Sequence, residues 1–406
     1  MSIFRQRKRY KEGVSRLLII NSVLGFGSTG RIVMDIASEY EQKGYEVKVA
    51  YGRSMREVRG QKNASKAPEY DKLGVRIGSD MDVYCHGILS RLTGKHGLYS
   101  KKATRKFLEW ASEYDPDVLW MHNIHGYYIN YEMLFDWIKS RPQMQVRWTL
   151  HDCWTFTGHC AHFAYVRCDK WKDGCHDCPQ LSTYPEAFRD NSVNNYRRKK
   201  AAFTGVSDMT LVTPSNWLKD LVKTSYLSEY PVEVKYNTID TEVFKPATSS
   251  FKKDHGIQDK KMILGVASMW NERKGLDDFV ELAKRLSEKN PAGAGDGAEA
   301  ADYKVVLIGL NDEQIADLDK KNSGILALPR TSSVKEMVEA YSAADVFVNP
   351  TYEDTFPTVN MEAEACGTPV ITYDTGGCRE TLRSEKSAVI PQSVDSIINA
   401  LEEMHI

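Results

Sequence analysis

Two adjacent carboxylates ahead of a proline-initiated helix form the most specific chemical pattern in this chain of 406 residues. Glu353 and Asp354 follow an apolar run, and Pro357 fits the first turn of a helix. The N–H groups of such a helix start would face a phosphate. Glu362 lies about a turn further on, and carboxylates accept strong hydrogen bonds from sugar hydroxyls. The pattern predicts a site for a phosphorylated sugar or nucleotide. The alternative is that Asp354 caps the helix and Glu362 lies on the surface.

A second phosphate-directed pattern lies near the start of the chain. Gly25, Gly27 and Gly30 form a GxGxxG sequence between an apolar strand and a helix. This is the pattern of dinucleotide-binding enzymes, which also carry an acidic residue at the end of the next strand. Here that strand ends at residues 51–53 in Tyr-Gly-Arg, without an acid. The glycines therefore indicate a backbone that approaches an anion, or a tight turn that needs positive φ.

Four of the eight cysteines lie close together between two predicted elements of the first half. Their spacing is C-x7-C-x6-C-x2-C, and they are Cys160, Cys168, Cys175 and Cys178. Four thiolates of which two form a CxxC pair are typical of structural zinc sites. The sequence therefore predicts a structural zinc ion in a polar, loop-like segment that needs a crosslink to become ordered. Reduced cysteines packed in the loop and a redox-active pair are the alternatives.

Composition and charge exclude several other classes of protein. The chain has 54 basic and 55 acidic residues, so its net charge gives no reason to expect a nucleic-acid partner. No apolar run is long enough for a transmembrane helix. The first residues are basic but lack the apolar region of a secretory signal. We expect a frayed tail or a weak attraction to an anionic membrane surface, and no disulfides.

The elements that would position these residues alternate between strand and helix. The run at 16–23, the glycine turn, an amphipathic helix and the run at 46–52 form a βαβ unit, which implies a parallel sheet. The same alternation starts again at residue 261. We therefore predict two α/β domains, with a small-residue surface insertion at 291–302. The predicted segments are a basic tail at 1–15, a first domain at 16–238 with a cysteine-rich insertion at 153–180, a linker at 239–258, a second domain at 259–385 and a C-terminal helix at 386–406.

The stretch EDTFPTVNMEAEACGTPVITYDTGGCRE (353–380) resembles the retaining glycosyltransferases of family 4, which have the GT-B fold. The resemblance extends from about residue 16 to residue 385. It includes YNTIDTEVFKP, similar to the family's interdomain linker, and WNERKGLDDF, similar to a segment whose lysine contacts the donor phosphates. It implies two Rossmann-like domains with parallel sheets that face an interdomain cleft. The first would bind the acceptor and the second the nucleotide sugar.

The resemblance also implies roles for particular residues. The second carboxylate position of the family motif falls on Glu362, which would bind the donor ribose, whereas Glu353 and Asp354 compete for the first position. The implied catalytic residues are His151, Lys274 and Asp354. The implied donor-binding residues are Gly27, Gly30, Arg273, Lys274, Arg330, Glu353, Asp354, Phe356, Pro357, Thr358 and Glu362.

The resulting hypothesis is a cytoplasmic enzyme that transfers a sugar from a UDP- or GDP-sugar to a glycan or lipid-linked acceptor, in polysaccharide or glycolipid assembly at the inner face of the membrane. We expect no catalytic metal, so protein groups would stabilise the leaving diphosphate. The alternatives are an NAD(P)-dependent oxidoreductase, a nucleotide-sugar epimerase of the same fold and a two-domain sugar-binding protein. Aromatic residues of the cysteine-rich segment are candidates for stacking on a sugar or for the core; they are Trp154, Phe156, Tyr165 and Trp171.

Overall fold

A computed structural model describes residues 13–54, 72–289 and 303–406 of the chain. The predicted basic tail, apart from its last three residues, and the predicted insertion at 291–302 lie outside these ranges. The chain divides into two compact units, Met1–Lys235 and Tyr236–Ile406. The segment 239–258, interpreted from the sequence as a linker, is part of the second unit.

The first unit is built on a parallel sheet with the order β3-β2-β1-β4-β5-β6-β7. Chain order reverses between β1 and β4, as in Rossmann folds. The strands are β1 (Arg16–Leu24), β2 (Glu46–Ser54), β3 (Gly74–Arg76), β4 (Val118–Met121), β5 (Gln145–Thr149), β6 (Met209–Thr213) and β7 (Val232–Val234). The helices are α1 (Gly27–Gln42), α2 (Asp80–Thr93), α3 (Lys101–Tyr114), α4 (Tyr131–Lys139), α5 (Ser192–Phe203) and α6 (Asn216–Lys223), with a short 3-10 helix at Trp154–Phe156.

The second unit has a parallel sheet with the order β10-β9-β8-β11-β12-β13, which reverses between β8 and β11. Its strands are β8 (Lys261–Val266), β9 (Tyr303–Ile308), β10 (Leu326–Leu328), β11 (Val346–Asn349), β12 (Val370–Tyr373) and β13 (Ala388–Ile390). Its helices are α7 (Phe251–Asp254), α8 (Leu276–Lys289), α9 (Asp312–Lys320), α10 (Val334–Ala343), α11 (Thr358–Ala365) and α12 (Val394–Glu403), with 3-10 turns at Glu272–Lys274 and Arg379–Thr381.

Apolar strands make a core on both faces of each sheet. In β1, Leu18 and Ile20 join one buried cluster while Leu17 and Ile19 join another. Successive side chains of a strand point to opposite faces, so a continuous apolar run is what a strand covered on both sides requires. The C-terminal helix α12 belongs to the core of the second unit, where Ile397 is almost fully buried.

The predicted α/β architecture with two parallel sheets is confirmed. Most predicted elements lie within a few residues of the observed ones. Both sheets reverse their order at one point, and ligands of open α/β sheets bind beside the carboxyl ends of the strands at such a point. The residues that follow β1 and β4, and those that follow β8 and β11, are therefore the first places to look for a site.

Among the described helices, none is both long and apolar enough to cross a bilayer.

Candidate active site

An ion pair joins the two loops that flank the reversal point of the second sheet. Lys274 follows β8, Asp354 follows β11, and the lysine Nζ lies 2.5 Å from Asp354 Oδ2. The two side chains are only 17% and 16% exposed, so the pair is largely shielded from bulk water. The residues are 80 positions apart in sequence, and the parallel order of β8 and β11 brings them together. Both were predicted to contact the donor.

Arg273 and Glu353 strengthen the same connection through the backbone. The Arg273 guanidinium donates to the carbonyl oxygen of Glu353 at 2.5 Å. In return, the backbone N–H of Tyr352 donates to the carbonyl of Arg273 at 2.8 Å, and the Thr351 hydroxyl donates to it at 3.1 Å. Glu353 is completely buried. Between the two adjacent carboxylates it is therefore Asp354 that pairs with the lysine.

Glycines allow these loops to approach one another closely. Gly275 ends the 3-10 turn of Lys274 with φ of 72°, and a Cβ there would lie 2.3 Å from the Pro350 carbonyl. Gly376 has φ of 56°, and its Cβ would lie 1.9 Å from the Asp354 carbonyl. The neighbouring Gly377 N–H donates to that same carbonyl at 2.9 Å. The GG turn of the sequence motif therefore holds the backbone of Asp354.

The helix after the carboxylates begins one residue later than the sequence suggests. Pro357 is the residue before the first turn, with φ of −70° and ψ of 105°, and α11 starts at Thr358. Asp354 does not cap this helix: its Oδ1 accepts from the Phe356 N–H at 3.2 Å, and no side chain caps the helix start. The Phe356 ring is buried and stacks on Tyr236, with centroids 5.3 Å apart.

Glu362 faces a tyrosine of the neighbouring helix α10. The Tyr341 hydroxyl donates to Glu362 Oε2 at 3.1 Å. Burial raises the pKa of Tyr341, and the nearby carboxylate adds to this shift, so the phenol remains a donor across the working pH range. Glu362 is thus oriented by a specific partner and is not an isolated surface residue.

Arg330 lies after β10 and bonds to the loop after β8. Its guanidinium donates to the carbonyl oxygen of Ser268. The arginine is exposed. The structure therefore connects Arg330 to the segment that leads to Lys274, although no contact in the described residues joins it to the carboxylates.

In the first unit, the glycine loop leads into α1 as predicted. Gly27 has φ of 66° and is the first residue of the helix. No side chain caps the helix start, and its first turn holds no acidic residue. A Cβ on Gly30 would lie 3.2 Å from the backbone nitrogen of Gly25. Gly30 therefore allows close packing of the turn, whereas a Cβ on Gly27 would have no atom within 4 Å.

His151 follows β5 and pairs with a histidine that follows β4. Its Nε2 lies 2.9 Å from Nδ1 of His122, and the rings stack with centroids 5.2 Å apart. Burial lowers the pKa of His151 to about 4, with an opposing influence from Asp152. Burial and the neighbouring ring also lower the pKa of His122. Both rings are neutral at pH 7, so one donates and the other accepts the shared hydrogen bond.

A second histidine cluster lies beside this pair and was not predicted as a site. His125 Nε2 lies 3.1 Å from Asp152 Oδ2, and its Nδ1 lies 2.9 Å from the Tyr184 hydroxyl. Burial would raise the pKa of Asp152, but the charge and hydrogen bond of His125 outweigh it and lower the pKa. The rings of Tyr184 and the buried His96 meet edge to face, with their centroids 5.8 Å apart. The only sequence signal was a set of scattered histidines at strand ends.

The cysteine-rich segment packs against the first unit through its aromatic residues. Trp154, Phe156 and Trp171 are buried, as the core interpretation expected, and the Tyr165 hydroxyl donates to Gln180 at 2.8 Å. All eight cysteines are free thiols. Within residues 13–54, 72–289 and 303–406, no group of three or more His, Cys, Asp or Glu side chains is arranged so that it could hold a metal ion.

The chain is similar to known glycosyltransferases. Residues 248–405 match the family model described as glycosyl transferases group 1. A putative colanic acid biosynthesis glycosyl transferase of Escherichia coli, WcaC, is 24% identical over 68% of this chain, and the chain covers 64% of that relative's length. A sucrose-phosphate synthase of Thermosynechococcus elongatus superposes with a TM-score of 0.64 at 15% identity, over 96% of this chain and 90% of the other.

A third similarity is to HepE of Anabaena, whose structure was solved in complex with UDP. It superposes with a TM-score of 0.58 at 14% identity, over 96% of this chain and 90% of the other. The two units therefore have the GT-B fold. The part of the chain that matches the group 1 glycosyl transferases, residues 248–405, makes up most of the second unit. The predicted resemblance to glycosyltransferases of the GT-B fold is confirmed at that level.

Proposed function

We propose that the chain is a retaining glycosyltransferase that moves a sugar from a UDP- or GDP-sugar to a hydroxyl of a glycan or lipid-linked acceptor, at the cytoplasmic face of a membrane. The observation that carries this proposal is the Lys274–Asp354 ion pair at the reversal point of the second sheet. A nucleotide bound at that point would place its phosphates beside a cation and its sugar beside carboxylates.

The chemistry needs positive charge at one position. As the glycosidic bond breaks, the leaving diphosphate gains negative charge, and preorganised donors there lower the barrier. Lys274 is available for this role if the donor phosphate takes over its contact from Asp354. The Arg273 side chain is already used by the Glu353 carbonyl, so it contributes mainly by holding the carboxylate loop. The uncapped N–H groups at the start of α11 are further donors.

The carboxylates would recognise the hydroxyl groups of the donor. Glu362 accepts a hydrogen bond from Tyr341, and its carboxylate would also accept from a ribose diol. Asp354, once separated from Lys274, would accept from a hydroxyl of the sugar. His151, neutral because of its burial, would orient a sugar or acceptor hydroxyl by a hydrogen bond. It does not supply positive charge at neutral pH.

The acceptor is proposed to bind at the first unit, beside the His125–Asp152–Tyr184 cluster. Aromatic rings next to hydrogen-bonding groups are suited to sugar rings, which have both apolar faces and hydroxyl edges. The similarity to WcaC supports a polysaccharide acceptor by analogy, because the name of that protein refers to colanic acid biosynthesis.

Thermal unfolding with excess nucleotide tests the proposal directly. UDP, GDP, ADP, NADH and NADPH would be compared at the same concentration. A ligand at ~100 times its dissociation constant stabilises the protein by about 2.7 kcal/mol, which is several degrees of melting temperature. We expect a shift with UDP or GDP and none with NADH or NADPH. A shift with the dinucleotides alone would reject the glycosyltransferase and favour the oxidoreductase that the GxGxxG pattern suggests.

Product analysis then separates transfer from epimerisation. The preferred nucleotide sugar would be incubated with and without membrane lipid extract, and nucleoside diphosphate release would be measured. Release that depends on the extract, together with an α-linked product from an α-linked donor, supports retaining transfer. Conversion of the sugar to its epimer without any acceptor would contradict it.

A further inference from the structure

The four cysteines of the segment 160–178 converge on one small cavity of the first unit. Cys160, Cys168, Cys175 and Cys178 all line it, together with His159. The cavity has a volume of about 10 Å³, which is about enough space for a single water molecule or ion. The sequence spacing had predicted that these thiols belong together, and the fold brings them around a common space.

Backbone N–H groups point at two of the sulfur atoms. The Gly158 N–H donates to Sγ of Cys175 at 3.0 Å, and the Gln180 N–H donates to Sγ of Cys178. Such bonds favour a thiolate over a thiol, and outer-shell hydrogen bonds of this kind orient metal ligands. Gly158 is required for the approach, because a Cβ there would lie 2.7 Å from the Cβ of Cys175.

A buried lysine of helix α5, Lys199, packs against the cysteine-rich segment. Lys199 is 1% exposed, and its ammonium donates to the carbonyl oxygens of Trp154 at 2.6 Å and Thr157 at 3.1 Å. It lies 3.5 Å from the centre of the Trp154 ring. A buried ammonium is costly unless negative charge lies nearby. Burial lowers the pKa of Lys199 to about 7, and negative charge on Cys175 or Cys160 would oppose this shift.

We propose that Cys160, Cys168, Cys175 and Cys178 bind one structural Zn²⁺ ion in a tetrahedral tetrathiolate site. Four thiolates and one Zn²⁺ carry a net charge of two negative, and this charge compensates the ammonium of Lys199. Binding releases the four thiol protons to solvent, and no oxidant or reductant is needed. The Sγ atoms must rotate towards a common point, because Cys160 and Cys178 share a hydrogen bond in the structure and no three described side chains are yet in ligating positions.

His159 fits the same site as a group of the outer shell. It is 2% exposed, and neither ring nitrogen has a hydrogen-bond partner in the described part of the chain. An imidazole N–H beside a zinc thiolate would donate to the sulfur and so remove the cost of an unpaired buried donor. The zinc would tie this loop to the strand end that carries His151 and Asp152. The proposal does not depend on the glycosyltransferase activity.

The test measures metal in the full-length protein purified without chelators from zinc-supplemented medium. We expect about one zinc ion per chain by elemental mass spectrometry, and less than about a tenth of that in each of Cys160→Ser, Cys168→Ser, Cys175→Ser and Cys178→Ser. The control is Cys85→Ser, which removes an exposed thiol outside the cluster and should keep the full zinc content.

Cobalt binding keeps the test independent of variants that fail to fold. Chelator-treated wild-type protein titrated with Co²⁺ should develop thiolate-to-cobalt charge-transfer bands and the visible bands of a tetrahedral ion. Wild-type protein without zinc and without cobalt bands would overturn the proposal. So would a Cys160–Cys178 disulfide found by peptide mass spectrometry in place of metal, or a zinc content that persists in the four serine variants.

Discussion

The strand ends of the two sheets hold their polar side chains in opposite electrical states. In the second unit, Lys274 and Asp354 form an ion pair whose side chains keep some exposure to water. In the first unit, His122 and His151 share a hydrogen bond between neutral rings, because burial lowers the pKa of both. Equivalent places in two sheets of similar topology thus offer charge on one side and neutral hydrogen bonding on the other.

This difference matches the two halves of the proposed sugar transfer. A leaving diphosphate is anionic and needs cations, whereas an acceptor sugar is neutral and needs donors, acceptors and aromatic surface. Side chains that water still reaches remain ionised. Buried imidazoles become neutral because their charged form is poorly solvated. The following four predictions would break or sharpen the comparison, in order of decreasing effect.

Removal of the cation in the second unit should have the largest effect. Lys274→Ala is expected to lower kcat by about 10²- to 10³-fold, the usual cost of losing one group that stabilises developing charge. Nucleoside diphosphate release measures it. The matched control is Lys321→Ala, which removes an exposed lysine paired with Asp317 in the same unit and should leave turnover unchanged. Wild-type turnover in Lys274→Ala would reject the charged half of the comparison.

Distortion of the carboxylate loop should come next. Gly376→Ala adds a Cβ 1.9 Å from the Asp354 carbonyl at a positive φ, so we expect a loss of about 2–4 kcal/mol in the free energy of unfolding, together with reduced turnover. Gly324→Ala is the control, because Gly324 has φ of 71° with no atom near its Cβ position. Gly324→Ala should lower the free energy of unfolding by about 1 kcal/mol, because only the strain of a positive φ opposes the added Cβ. Denaturant unfolding measures the loss in both variants. Equal losses in Gly376→Ala and Gly324→Ala would contradict the close approach of Gly376 to the Asp354 carbonyl.

Acid should destabilise the first unit through its neutral histidines. The pKa of His151 is about 4 in the folded protein and 6.5 in the unfolded chain. Between these values the unfolded state binds more protons, so the free energy of unfolding falls as pH drops from about 6.5 towards 4. We expect His122→Asn and His151→Asn to flatten this dependence. His255→Asn, which changes an exposed histidine, serves as the control. If the free energy of unfolding depends on pH in His122→Asn and His151→Asn as it does in the wild type, the two rings are not the neutral groups responsible.

Release of Glu362 from its partner should have the smallest effect. Tyr341→Phe removes the hydroxyl that holds Glu362 Oε2, and loss of one hydrogen bond of about 1 kcal/mol should raise KM for the donor roughly fivefold with little change in kcat. Tyr303→Phe is the control, since that hydroxyl donates to the Ile406 carbonyl at 2.6 Å. If both variants keep the wild-type KM, Glu362 does not bind the donor.

Sequence reasoning predicted the α/β architecture, which is confirmed, and it selected candidate site residues in the second unit, because both signals are local. Apolar runs such as 16–24 predict strands covered on both faces, and the motif around Glu353 and Asp354 lies in one continuous stretch. It could not choose between those two carboxylates. That choice depends on the pairing of β8 with β11, which buries Glu353 and turns Asp354 towards Lys274.

The sequence by itself determined the order of strands and helices, the glycine turns and the cysteine spacing, since each follows from backbone preference and short-range pattern. Only the tertiary structure decided which distant polar groups meet: His125 with Asp152, Glu362 with Tyr341, and Lys199 with the loop of the four cysteines. Such partners come from strands and helices that are far apart in the chain, and their charge states depend on burial that no local pattern records.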